Sequence, residues 1–100
     1  MPMLIKVRNY LYCPVIVCDY CGAEITDAKN GNYEWRGDEN METDGEVFFT
    51  HKECCYPFET ANGGRGRWMT GELQVFPIYL AANIKLDWTH AKELAQQLQL

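Results

Sequence analysis

Two short segments constrain this chain more than anything else in it. One is Cys18-Asp19-Tyr20-Cys21-Gly22 and the other is His51-Lys52-Glu53-Cys54. Together they offer three thiols and one imidazole, in two pairs with two residues inside each pair. A tight turn sets the members of such a pair side by side. Four sulfur and nitrogen donors in two pairs are the ligand set of a tetrahedral structural Zn²⁺ site. Cys18, Cys21, His51 and Cys54 are therefore the candidate ligands of one structural zinc ion. Cys55 adjoins Cys54 and competes for its place; the two-residue spacer from His51 favours Cys54. Cys13 reads as a small core or partly exposed thiol and a further candidate ligand.

The local pattern around each pair supports this reading. Gly22 suits a knuckle, in which backbone amides face the thiolates and glycine supplies an unusual dihedral. Thr50 and Glu53 have the spacing of a capping box, which predicts a helix from Thr50 with His51 in its first turn and Cys54 one turn on. Pro57 limits or kinks that helix. Lys52 and the positive end of the helix would offset the negative charge of three thiolates on one dication.

The rest of the chain is placed around the site. Residues 3–7 and 15–17 read as short strands with Pro14 between them. Residues 32–35 and 46–50 alternate as the arms of a hairpin, joined by an acidic loop over 36–45. Residues 62–71, rich in glycine and arginine, read as a flexible loop. Residues 72–76 fit strand or helix, residues 78–82 a short helix after Pro77, and Asp87 caps a final helix. Its apolar positions Trp88, Ala91, Leu94, Ala95 and Leu98 keep helical spacing. The expected fold is a small α+β single domain over 1–100. A zinc lobe spans about 13–62, and a helical part over 72–100 packs on it through Trp68, Phe76, Leu80 and Trp88.

Knuckle, hairpin, then a helix with the second ligand pair is also a family pattern. Over residues 16 to about 60 the chain resembles treble-clef zinc fingers, and its ligand order is similar to the first half of a LIM domain. The resemblance rests on Cys18, Cys21, Gly22, His51 and Cys54. It implies a structural zinc and a binding role, not catalysis; the gap from Cys21 to His51 is longer than in LIM domains and no second four-ligand module follows.

Composition narrows the function. Of 100 residues 47% are apolar, enough for a core, and the net charge is -5. An acidic balance disfavours nucleic acid and anionic membranes, which select basic faces. No apolar run is long enough to span a bilayer, and five cysteines cannot all pair within one chain. Both points suit a cytoplasmic protein with reduced thiols. The expected function is a non-enzymatic zinc-binding protein whose partner is another protein, with the acidic loop suited to a basic one. Two other readings compete. One is a nucleic-acid-binding finger contacting phosphates through Arg65, Arg67, Lys85 and Lys92. The other is a redox dithiol at Cys18 and Cys21. A histidine among the ligands disfavours iron. His90 reads as solvent-exposed.

Overall fold

A computed structural model describes residues 3–37 and 45–97, with only the backbone of Arg65. Residues 38–44 of the expected acidic loop, and Leu98, lie outside the described residues. Among the described residues the architecture is α+β, with two antiparallel sheets and three α-helices.

The first sheet is a hairpin of β1 (Met3–Arg8) and β2 (Leu11–Ile16). Asn9 and Tyr10 both adopt positive φ, 49° and 68°, the conformation of a type I′ turn that matches the strand twist. Pro14 is not a spacer between strands, as its type suggests, but lies inside β2 opposite Ile5. Counting from the turn, that pair is not hydrogen-bonded, so the missing N–H is lost from the outer edge and not from the ladder.

The second sheet has the order β4-β3-β5: β3 (Gly31–Arg36), β4 (Phe48–His51) and β5 (Trp68–Glu72). The expected hairpin forms, with Tyr33 opposite Phe49. The third strand corrects the sequence reading, which put residues 68–71 in a flexible loop. β5 pairs with β3 over five residues, Gly71 lying opposite Tyr33. A Cβ at Gly71 would come within 2.5 Å of the Tyr33 ring, so glycine there makes room for an aromatic neighbour.

Both faces of this sheet are covered. On one, Phe49 is fully buried and meets the Phe76 ring edge-on at 5.0 Å, while Tyr33 stacks on Trp35. Cys18, Ile25 and Leu73 complete that cluster. On the other, Phe48, Trp68 and Phe58, the last from the helix Cys55–Ala61, form a ring trio with centroids 5.0 to 5.6 Å apart, each pair contributing about 0.5–1.5 kcal/mol beyond its buried area.

Helix α1 spans Cys55–Ala61, α2 Phe76–Asn83 and α3 Trp88–Gln97. The capping box at Thr50 does not form. Thr50 is buried in β4, and its hydroxyl donates to Glu34 instead of to a helix terminus. Pro57 sits in the first turn of α1, where its N–H would have no intrahelical acceptor, so it neither ends nor breaks the helix. Asp87 caps α3 as expected, accepting from the His90 N–H at 3.0 Å. The expected packing of the last helix is not seen. No residue of α3 is buried; Leu80 and Trp88 are exposed, while Trp68 and Phe76 do pack. The cause lies at the end of α2. Lys85 takes φ +54°, Leu86 N–H donates to Ala81 O and Lys85 N–H to Ala82 O. This is a Schellman turn without glycine, and it redirects the chain before α3 begins.

Candidate metal centre

Cys18 lies two residues past the end of β2, next to Val17, whose bridge to Glu24 closes the turn. Inside it Cys18 N–H donates to Ala23 O and Gly22 N–H to Cys18 O, with Gly22 at φ +79° as the knuckle requires. The Tyr20 and Cys21 N–H groups point at Cys18 Sγ from 3.4 and 3.5 Å. Asp19 fixes the knuckle to β4. Its N–H donates to Phe49 O at 2.7 Å and its carboxylate accepts from Phe49 N–H at 2.8 Å. Nothing in the spacing of Asp19 announced that role; it appears only when β4 is laid beside the knuckle.

The second pair arrives by a different route from the one expected. His51 is the last residue of β4 and caps a single 3-10 turn, Lys52–Cys54. Three residues per turn place positions i and i+3 one above the other, so His51 and Cys54 meet although no α-helix joins them. The ligand atoms of Cys18, Cys21, His51 and Cys54 lie within 4.8 Å of one another. All four predicted residues are brought together. Cys13, in β2, and Cys55 are not part of the cluster.

The donor set fits a metal ion. With Zn–S near 2.3 Å and Zn–N near 2.05 Å, a tetrahedral edge between sulfur and nitrogen is about 3.6 Å. Cys21 Sγ and His51 Nδ1 stand 3.4 Å apart. The thiols also cannot share one charge state unaided. Burial would raise Cys18, but N–H groups of Cys21, His51 and Tyr20 and the His51 side chain bring it down to about 6. Burial, then the neighbouring Cys18 and Cys21, push Cys54 up to about 12. A dication lets all three ionise together. Cys21 is exposed, and a pocket lined by Asn30, His51, Lys52 and Glu53 opens beside the cluster. Lys52 does not serve the cluster as expected: its ammonium pairs with Glu72 at 2.8 Å.

A second polar cluster adjoins the first. Cys55, Glu34 and Glu59 also bring their ligand atoms within 4.8 Å. Glu34 is completely buried. It accepts from Thr50 at 2.8 Å and from Thr70 at 3.5 Å, and the Cys55 thiol lies 3.3 Å from it and 3.0 Å from Glu59. Burial first, and the neighbouring Glu59, raise Glu34 to about 7, against the Thr50 and Cys55 donors. Burial and the two carboxylates push Cys55 up to about 12. The alternation of residues 32–35 put Glu34 opposite Tyr33 and Trp35. That pattern alone suggests a wet face, because β5 was read as loop and the helix was expected from Thr50 and not over Cys55–Ala61.

No protein-family model, curated protein or solved structure matches the chain. Among the described residues no helix is long and apolar enough to cross a membrane.

Proposed function

We propose that this is a small zinc-binding protein without catalytic activity, in which one structural Zn²⁺ holds together a protein-interaction module. Cys18, Cys21 and Cys54 bind through Sγ and His51 through Nδ1. The observation that carries the reading is the convergence of these four ligand atoms within 4.8 Å. The knuckle, the β3–β4 hairpin and α1 follow one another in treble-clef order, which supports that description of residues 16 to about 60. Four protein ligands complete the tetrahedron and leave no position for an activated water, which supports a structural ion.

A protein partner is favoured over nucleic acid by the net charge of -5, and five of the cations are already engaged. Lys6 and Arg8 pair with Glu24, Lys29 with Asp27 and Lys52 with Glu72, while the Arg36 guanidinium lies over the Trp68 ring. Phosphate binding needs clustered cations that are not already matched. The test is metal content after purification without chelator. One equivalent of zinc is expected in the natural protein, with loss in Cys18→Ser and in Cys54→Ser. Full zinc retained in both variants defeats the assignment.

A further inference from the structure

We propose that Cys21 is an oxidation site, at which hydrogen peroxide converts the zinc-binding pair Cys18 and Cys21 into a disulfide and frees the metal. This modification rests on the zinc reading of the site and gives that site a way to be emptied.

The three thiols of the cluster are not equivalent. Cys18 is 2% and Cys54 8% exposed, whereas Cys21 is open to solvent. Peroxide selects a sulfur that is both ionised and reachable. Metal binding keeps all three ionised, so reach decides among them. The pocket beside the cluster holds about 370 Å³ and is lined in part by His51, whose Nδ1 stands 3.4 Å from Cys21 Sγ. Water takes up roughly 30 Å³, so an oxidant of two oxygen atoms has room there.

The other sulfurs are held back by what surrounds them. Cys18 Sγ faces the N–H groups of Tyr20 and Cys21 at 3.4 and 3.5 Å. Donors on its lone pairs make it a weaker nucleophile toward an incoming oxidant. Cys55 lies 3.0 Å from a Glu59 carboxyl oxygen and 3.3 Å from one of Glu34. Its hydrogen is directed at an acceptor, and a thiol that keeps its hydrogen does not attack. Cys13, in β2, has no part in the metal cluster.

A second thiol stands ready to complete the reaction. Cys18 and Cys21 share one knuckle, closed by the Gly22 N–H to Cys18 O bond at 3.0 Å, and their sulfurs lie within 4.8 Å. A disulfide between them tightens that one loop and leaves β4 in place. Cys54 comes from a different segment, the turn after β4, so joining it to Cys21 would draw two segments together.

The electrons balance. The Cys21 thiolate attacks one oxygen of hydrogen peroxide; an S–O bond forms, the O–O bond breaks and hydroxide leaves. The Cys18 thiolate then attacks the Cys21 sulfur; the S–S bond forms, the S–O bond breaks and a second hydroxide leaves. The two sulfurs together lose two electrons, peroxide gains them, and both hydroxides take up protons from the medium. His51 and Cys54 remain, two donors where a tetrahedral structural site needs four. A dithiol reductant reverses the change by thiol–disulfide exchange, becoming a disulfide itself. The zinc pair and the redox dithiol that the spacing of Cys18 and Cys21 allows are then two states of one site.

The test uses the full chain carrying one equivalent of zinc, hydrogen peroxide in excess and a chromophoric zinc indicator. Release of the zinc is expected with peroxide and not without it, and uptake again after dithiothreitol and added zinc. Mass spectrometry after alkylation should find a Cys18–Cys21 disulfide, with Cys13, Cys54 and Cys55 still free thiols. Cys21→His keeps a four-donor set without the exposed thiol and should release zinc at least about tenfold more slowly. Cys13→Ser should match the natural protein. If Cys21→His takes up no zinc, the sulfenate trap dimedone on the natural protein is read instead and should label Cys21 before any other cysteine. A natural protein that binds no zinc defeats the site and its oxidation together. With zinc bound, the oxidation alone is overturned by zinc retained through peroxide, by release equally fast in Cys21→His or slowed in Cys13→Ser, by a Cys21–Cys54 disulfide, or by first labelling at another cysteine.

Discussion

Cys54 and Cys55 are consecutive residues, yet they feed two polar clusters that handle burial in opposite ways. Cys54 joins two thiols and an imidazole, a set that collects negative charge and calls for a cation. Cys55 joins two carboxyls beneath the sheet, where burial and the neighbouring Glu59 push Glu34 up to about 7 and two threonine hydroxyls donate to it. Whether a buried acidic group takes a metal or a proton is decided by what else points at it. Soft sulfur and imidazole in a knuckle suit a dication. Two carboxyls among threonine hydroxyls suit a shared proton.

The sharpest way to break this contrast is to remove the cation. Structural Zn²⁺ contributes an apparent 10–16 kcal/mol in small fingers, about as much as the whole stability of a chain this size. A strong chelator should therefore abolish the near-ultraviolet circular dichroism of the native state and the cooperative thermal transition. Superimposable melts with and without chelator would show that the first cluster, like the second, needs no ion.

A smaller effect is expected from the proton. Glu34 has its pKa raised from 4.5 to about 7 on folding. Its contribution is therefore fully present below pH 4.5 and is lost as pH rises to about 7. The swing is on the order of 3 kcal/mol. Metal binding has the opposite slope, because its ligands must be deprotonated. Urea unfolding of zinc-saturated protein, natural against Glu34→Gln, isolates the carboxyl. The natural protein should lose ground to the variant between pH 4.5 and about 7, in the window set by the same raised pKa. Parallel pH curves would show that the pair keeps no proton.

The smallest effect separates the two cysteines directly. Cys55→Ser should keep one equivalent of zinc and lose about 1–2 kcal/mol of stability through altered packing and hydrogen bonds. Zinc loss in Cys55→Ser, measured beside Cys54→Ser, would reverse their roles.

The metal cluster was legible in the sequence because ligand spacing survives errors in the backbone around it. His51 and Cys54 meet in a 3-10 turn as they would in an α-helix; both geometries align residues three apart. The capping box misled because Thr50 found Glu34, a partner remote in sequence, for its hydroxyl. β5 was hidden because Trp68–Glu72 carries a glycine and reads as loop until Tyr33 is set against it. With β5 missing, Glu34 had no cover and its cluster could not be foreseen. The register of the β1–β2 hairpin is set by two positive-φ residues at its tip, neither of them glycine, which is why the sequence did not announce the turn.

Gly71 carries a consequence for how this sequence can drift over generations. Any side chain there collides with a ring, whereas Gly66 has open space around its Cα. A side chain at 71 requires the Tyr33 ring to move, so the two positions are sterically linked. A substitution at 71 is therefore felt at 33, whereas one at Gly66 meets no neighbour.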